Sequence, residues 1–281
     1  MNFLGKVLQF LDSDMTEPTS FGWFHLLSIA LTVLGAVFLC KRFKKPSFAD
    51  VRKVLLVFSL VSIFLEIYKQ INYTFSYDGV KITADYQWYA FPFQFCSTPM
   101  YVALIAALVK QDKIHKALCN YLATFSLFAG ICVLAYPEQV FIDTIGINLQ
   151  TMICHGAMIS LGVWLLCCDY LELKQKNILP ATAVFGIAIA IAGIMNEVAY
   201  FTGLLERETF NMFYVSPHCE PSLPVYSLVQ AVLPFPVCIV IYIAAFALAS
   251  YIILNVAILI KKWFKKEITE PKERVLTTKY K

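Results

Sequence analysis

Residues 179–202 read LPATAVFGIAIAIAGIMNEVAYFT, a run in which Glu197 is the sole charged side chain. A helix of a water-soluble domain keeps a polar face opposite its apolar stripe, whereas this run is apolar on every side. Its length fits the roughly 20 residues that cross about 30 Å of hydrocarbon at 1.5 Å per residue. It predicts a membrane span, and the rest of the chain agrees. Further apolar runs fall at residues 21–40, 54–72, 88–109, 117–135, 147–168 and 236–260. The 281 residues are 59% hydrophobic and 15% charged, with a mean hydropathy of +0.67, where soluble domains carry about 25% charge. The expected fold is all-α and polytopic, with seven transmembrane helices.

Lysine and arginine set the direction of such a bundle, because basic loops stay on the cytoplasmic side. Nineteen of the 23 basic residues lie in residues 41–53, 110–116, 169–177 and 261–281, and the alternate side holds Lys6, Lys69, Lys81 and Arg207. Seven spans put every basic block on one face, with the N-terminus outside; an even number strands one block across the membrane. Three regions follow. Residues 1–20 form an extracytoplasmic, interfacial N-terminus with a broken apolar pattern of Phe3, Leu4, Val7 and Leu8. They lack a continuous apolar core and a small-residue cleavage site, so no signal peptide is expected. Residues 21–260 are the seven-helix domain, and residues 261–281 a basic cytoplasmic tail, expected to be irregular after Lys266 around Pro271. The apolar residues 224–233 are interrupted by Pro234 and Pro236, which predicts an interfacial or partly re-entrant cap on the outer end. The expected location is a cell membrane.

Composition and motifs exclude several classes. Seven spans leave no room for a soluble catalytic domain, and the basic residues sit in short blocks rather than on one face, so no nucleic-acid partner is expected. Of nine cysteines, all but Cys219 lie in or at the ends of apolar runs, which argues against a disulfide framework. Glycine-rich phosphate loops, HExxH and GxSxG are absent. The sequence Pro217-His218-Cys219-Glu220-Pro221 places three potential ligands side by side without a zinc spacing, so neither a metal nor a cofactor is expected. Asn72-Tyr73-Thr74 fits a glycosylation sequon but abuts the end of a span. No repeat at a fixed period supports an inverted-repeat transporter.

Polar groups inside a span are costly unless paired or used, and here they gather at one depth. Counted from the outer ends at 1.5 Å per residue, Cys96 and His155 both lie roughly 12 Å down, Asn196 and Glu197 about 8 Å, and Glu66 about 9 Å. Gln94, Ser97 and Thr98 join the layer. Pro92 and Pro99 break the run around Cys96, each removing an N–H donor and freeing a carbonyl. A helix restarting at Pro99 behind a Thr98 cap leaves Cys96 before its N-terminus, where the backbone dipole favours a thiolate. With His155 as base and proton shuttle, these are the minimum parts for acyl transfer through a thioester. The plainer readings are a cysteine serving as a small apolar residue and a histidine tying helices together. Glu66 with Lys69 reads equally as an ion pair near the outer surface, and Asn196 and Glu197 as interhelical links. His25 and His115 read as structural.

The segment Phe91-Pro-Phe-Gln-Phe-Cys96-Ser, the triplet Cys154-His155-Gly156, and Asn211-Met-Phe-Tyr-Val-Ser-Pro217 leading to Leu233-Pro-Phe-Pro236 resemble the bacterial YwaF branch of the transmembrane protein 164 family. The likeness covers residues 91–242, and its most specific part is the spacing from Cys96 to His155. It implies a multi-span acyltransferase that moves fatty acyl chains between membrane phospholipids in, for a bacterial chain, the plasma membrane. The catalytic roles fall on Cys96 and His155, with Gln94, Asn196, Glu197 and Glu66 in support. The chain departs from several bacterial relatives at Gln94, where they carry His. A transporter or channel lined by Glu66, Glu197 and His155, or a seven-span sensor, are the alternative readings.

Overall fold

The computed structural model describes residues 3–203, 209–219 and 224–278; Arg207 and the Glu220-Pro221 end of the candidate metal motif lie outside the described residues. Helix α1 (Phe3–Leu11) is followed by α2 (Trp23–Arg42) and α3 (Phe48–Asn72). A hairpin of β1 (Phe75–Tyr77) and β2 (Ile82–Ala84), paired antiparallel with Ser76 opposite Thr83, leads into α4 (Thr98–Leu108). Helices α5 (Asp112–Tyr121) and α6 (Leu127–Ala135) are joined by a π-helical turn at Leu122–Ser126. Then come α7 (Ile145–Cys167), α8 (Ile178–Thr202), α9 (Pro224–Gln230) and α10 (Phe235–Thr278).

The protein is mostly helical, and five helical stretches are long and apolar enough to cross a membrane: Trp23–Arg42, Asp112–Ala135, Ile145–Cys167, Gln175–Thr202 and Phe235–Phe264. The second and third expected spans differ. The second falls on α3, whose 25 residues carry Asp50, Arg52 and Lys53 at one end and Glu66 and Lys69 toward the other. The third is half a helix: the 11 residues of α4 rise about 16 Å, half the hydrocarbon thickness. Residues 91–97 before it are irregular because Pro92 and Pro99 cannot continue a helical ladder. Two further expectations need correction. The fold is not purely α, since Asp78-Gly79 makes a hairpin turn in which Gly79 takes φ +95° and the Asp78 carboxylate accepts from the Val80 and Lys81 N–H groups. The tail is helical to Thr278, as expected of segments rich in Lys, Glu and Arg.

The ends of the bundle are chemically distinct. At the basic end, residues 41–53 meet the end of α7 and the loop after it: Trp164 Nε1 donates to the Phe43 carbonyl (3.0 Å) and the Asp169 N–H to the Lys44 carbonyl (3.2 Å), while Lys261 Nζ of α10 donates to the Cys168 carbonyl (3.0 Å). At the opposite, hairpin end, the chain after α1 bridges to the start of α7 through Met15 N–H to Asp143 O and Ile145 N–H to Ser13 O. Helix α1 keeps Phe3, Leu4 and Phe10 exposed and rests Gly5 on the Tyr77 ring.

Between the ends, the helices pack through small residues, as close approach in a membrane bundle requires. Ser160 Oγ of α7 donates to the Thr32 carbonyl of α2 (2.9 Å), and Gly156 faces Thr32 so tightly that a Cβ would lie 2.4 Å from its hydroxyl. Gly130 of α6 does the same on the other side of α7, where a Cβ would meet the His155 carbonyl at 2.8 Å. Helix α7 at His155 is thus clamped between two glycine and threonine contacts. An aromatic cluster of Phe95, Phe125, Phe185, Phe213, Tyr242 and Phe246 fills the core beside it.

Candidate functional site

A cavity of about 600 Å³ opens among α3, residues 89–100, α6, α7 and α10. Both Cys96 and His155, 59 positions apart in the chain, line it, together with Gln94 and Glu66. Its lining is apolar at Phe58, Met100, Phe128, Met158 and Phe246 and polar at Glu66, Lys69 and Gln150, which lie nearer the hairpin ends of α3 and α7.

Cys96 sits two residues before α4 on a tight turn that replaces the hydrogen bonds lost to the prolines. Gln94 N–H donates to Ser97 Oγ (2.9 Å), while Ser97 and Thr98 N–H groups and the Thr98 hydroxyl return to the Gln94 carbonyl. The Pro92 carbonyl accepts from the Tyr101 hydroxyl (2.9 Å). The N-cap position belongs to Ser97, with Thr98 as the first helical residue and Pro99 within the first turn, one residue earlier than the sequence suggests. Cys96 therefore stands immediately before a helix N-terminus.

The tautomer of His155 is dictated by its neighbour. Nδ1 lies 2.7 Å from the Thr151 carbonyl, an oxygen that only accepts, so Nδ1 carries the hydrogen and Nε2 presents a lone pair. That Nε2 is buried and has no hydrogen-bond partner among the described residues. The other histidines of the helices are spoken for. His25 Nδ1 accepts from the Phe21 N–H (2.9 Å) and its Nε2 donates to the Leu134 carbonyl (2.8 Å). His115 donates from Nδ1 to Ala106 O (2.8 Å) and meets Cys119 Sγ with Nε2 (3.4 Å).

The four expected supporting residues separate. Glu66 stays at the cavity, accepting from Lys69 Nζ (3.1 Å), Gln70 Nε2 (2.7 Å) and Gln150 Nε2 (3.4 Å). Gln94 lines the cavity but spends its amide on the turn after residue 210: Nε2 donates to Asn211 O (3.0 Å) and Oε1 accepts from Phe213 N–H (2.8 Å). Asn196 holds the same turn from α8 through both the N–H (2.8 Å) and the carbonyl (3.1 Å) of Met212, and does not line the cavity. Glu197 faces away and pairs with His218 (3.1 Å), whose ring stacks on Tyr200 at 3.6 Å. Equal depth placed Asn196 and Glu197 near the site; the 100° step per residue of a helix sends neighbours to different faces. The clasped turn is strained: Phe213 and Tyr214 adopt φ +58° and +57°, a conformation that costs non-glycine residues on the order of 1–3 kcal/mol each.

Among the polar or thiol side chains that also line the cavity, sequence reading passed over Ser62, Tyr89, Cys132, Gln139, Gln150 and Thr151, and named Cys154 and Tyr214 only within the quoted segments. Gln150 was legible by the same rule that picks out His155, being an amide in an apolar run. Tyr214 was not legible as a single side chain, since a tyrosine in a loop carries no such signal.

The TMEM164 family description matches residues 20–254 of the chain. No curated protein and no solved structure matches it.

Proposed function

The chain belongs to the TMEM164 family, and from that premise we propose that it is a membrane-embedded lipid acyltransferase with Cys96 as nucleophile and His155 as base. The observation that carries the reading is the shared cavity: a thiol before a helix N-terminus and a histidine whose one uncommitted nitrogen is an acceptor both line it. The count of basic residues orients the hairpin end outward, with α3 and the half-helix α4 completing seven crossings. An acyl chain lies along Phe58, Phe128 and Met158, and the ester carbonyl sits near the polar part of the lining.

His155 Nε2 takes the Cys96 proton as sulfur attacks the ester carbonyl carbon. The tetrahedral intermediate collapses by breaking the bond to the glycerol oxygen, which receives the proton from His155 and leaves as a lysophospholipid. The thioester is then attacked by the hydroxyl of an acceptor lipid, His155 again relaying the proton, which restores the thiol. The test is incubation of the full chain in liposomes with a phospholipid bearing an alkyne-tagged acyl chain. Labelling as a thioester is expected in the wild type and lost in Cys96→Ala; labelling that persists in Cys96→Ala defeats the assignment.

A transport reading draws on the buried ion pair of Glu66 and Lys69 with Gln150 in the cavity lining. It needs a polar route onward to the basic end, where Ala103, Ala106, Leu122, Trp164 and Leu165 are packed and buried. Flux across proteoliposomes is the measurement that favours it over acyl transfer.

A further inference from the structure

We propose that Tyr214 is a third catalytic residue, whose phenol donates a hydrogen bond to the carbonyl oxygen of the ester under attack at Cys96. The inference rests on the acyl-transfer reading and deepens it. Its starting point is a strained turn that the fold holds from every side. Phe213 and Tyr214 are two consecutive non-glycine residues at positive φ. The conformation is held by the Phe213 N–H to Gln94 Oε1, Gln94 Nε2 to the Asn211 carbonyl, and both polar groups of Met212 to Asn196. The Tyr242 hydroxyl donates to the Phe213 carbonyl (3.0 Å), and Asn211 Oδ1 accepts from the Ser216 N–H (2.9 Å). Six hydrogen bonds thus converge on residues 211–216, five of them from Gln94, Asn196 and Tyr242 outside the turn. Such over-determination maintains a sparsely populated backbone.

What the turn delivers is one side chain. Phe213 goes into the aromatic core against Phe93, Phe95 and Phe185. Of the described residues of the turn, Tyr214 alone lines the cavity that holds Cys96 and His155. Its hydroxyl takes no part in the bonds that clasp the turn. Tyr214 is 39% exposed; a phenol, with an ordinary pKa of about 10, is protonated at neutral pH, and negative charge arriving nearby strengthens the hydrogen bond it donates. Charge arrives on the carbonyl oxygen when sulfur adds to carbon, and a donor held beside that oxygen by a fixed turn stabilises the intermediate with little reorganisation. Gln94 and Asn196 act one step removed, as positioning residues that hold the phenol in place.

The experiment is Tyr214→Phe in the full chain in liposomes, following the rate of Cys96 thioester formation against the concentration of the alkyne-tagged phospholipid. The expected result is a maximal rate lower by about 10²–10³-fold, the usual effect of removing one oxyanion donor. The half-saturating lipid concentration and the rate of Cys96 alkylation by a small maleimide should be unchanged. An unchanged maximal rate overturns the proposal, as does a loss accounted for by weaker lipid binding or by slower alkylation, either of which assigns the phenol to packing or access. A wild type that forms no Cys96-dependent thioester overturns the acyl-transfer reading itself, and this inference with it; a wild type that labels normally beside an unaffected Tyr214→Phe sinks the inference alone.

Discussion

The bundle contains two cysteine and histidine sites built from the same parts. At the basic end, His115 donates from Nδ1 to a backbone carbonyl and meets Cys119 with Nε2, one helical turn away, and both residues are fully buried. Toward the hairpin end, His155 donates from Nδ1 to a backbone carbonyl in the same way, but its Nε2 has no partner among the described residues and Cys96 comes from another element across a shared cavity. Each imidazole is locked in the same tautomer. What separates them is satisfaction: His115 and Cys119 meet each other and form a strut, whereas His155 Nε2 has no partner among the described residues and shares a cavity with Cys96. Residue type and even tautomer are therefore poor guides to chemistry in a membrane core, where most polar groups exist to satisfy one another.

The contrast is broken most directly at the thiols. Cys96→Ala should abolish thioester labelling by a tagged phospholipid, and Cys119→Ala should leave it at the wild-type rate; equal loss in both would erase the distinction. The histidines come next. His155→Gln should slow labelling by about 10²–10⁴-fold, the range of a lost general base. His115→Gln should instead lower the thermal midpoint in detergent, with an expected cost of about 1–3 kcal/mol for the buried groups it leaves unpaired. A third, smaller effect concerns the clamp on α7. Gly130→Ala forces a Cβ to within 2.8 Å of the His155 carbonyl and should cost about 1–3 kcal/mol of stability along with a reduced labelling rate. Gly186→Ala, which meets nothing within 4 Å, should be neutral or stabilising by up to about 1 kcal/mol.

The smallest effect compares the aqueous ends. Hydrogen bonds from Ser47 hold the Asp50 carboxyl below its ordinary pKa at the start of α3, and backbone N–H groups of Lys81 and Val80 do the same for Asp78 in the hairpin. A carboxyl whose folded pKa is depressed stabilises above its unfolded pKa and loses that contribution as pH falls through the folded value. Acidification below about pH 4 should therefore lower the protection factors of the Asp50, Val80 and Lys81 amides, their exchange rates being corrected for the intrinsic pH dependence, and leave those of the α7 amides around His155 unchanged; Asp78→Asn should remove the response in the hairpin only.

Much of the fold was legible because a span announces itself locally. The runs that became α2, α7 and α8 each hold about 20 apolar residues with their charges at the ends, and nothing distant is needed to read them. Within residues 88–109 the break at Pro92 and the restart near Pro99 were legible, and the helix does restart at Thr98; the two prolines have a local signature for breaking a helix but none for the path of the irregular segment before it. The hairpin was overlooked although Asp78-Gly79 is a strong turn signal, because a short loop between two spans does not invite a search for strands. At the site, Cys96, His155 and Glu66 were legible as costly groups in hydrocarbon. Gln94 was named as a supporting residue and is found holding a turn 117 positions away, and Tyr214 was marked only as part of the segment 211–217, not as a side chain.

By itself the sequence determined that this is a membrane protein of long apolar helices, because that follows from runs of about 20 residues and a fixed rise per residue. Only the tertiary structure decided which polar groups are satisfied and which are left facing a cavity. A hydrogen bond is completed by whatever carbonyl or amide the packing brings within about 3 Å. For His155, Gln94 and Asn196 those partners are set by neighbouring turns and distant helices, so the difference between a strut and a site is a property of the assembled bundle.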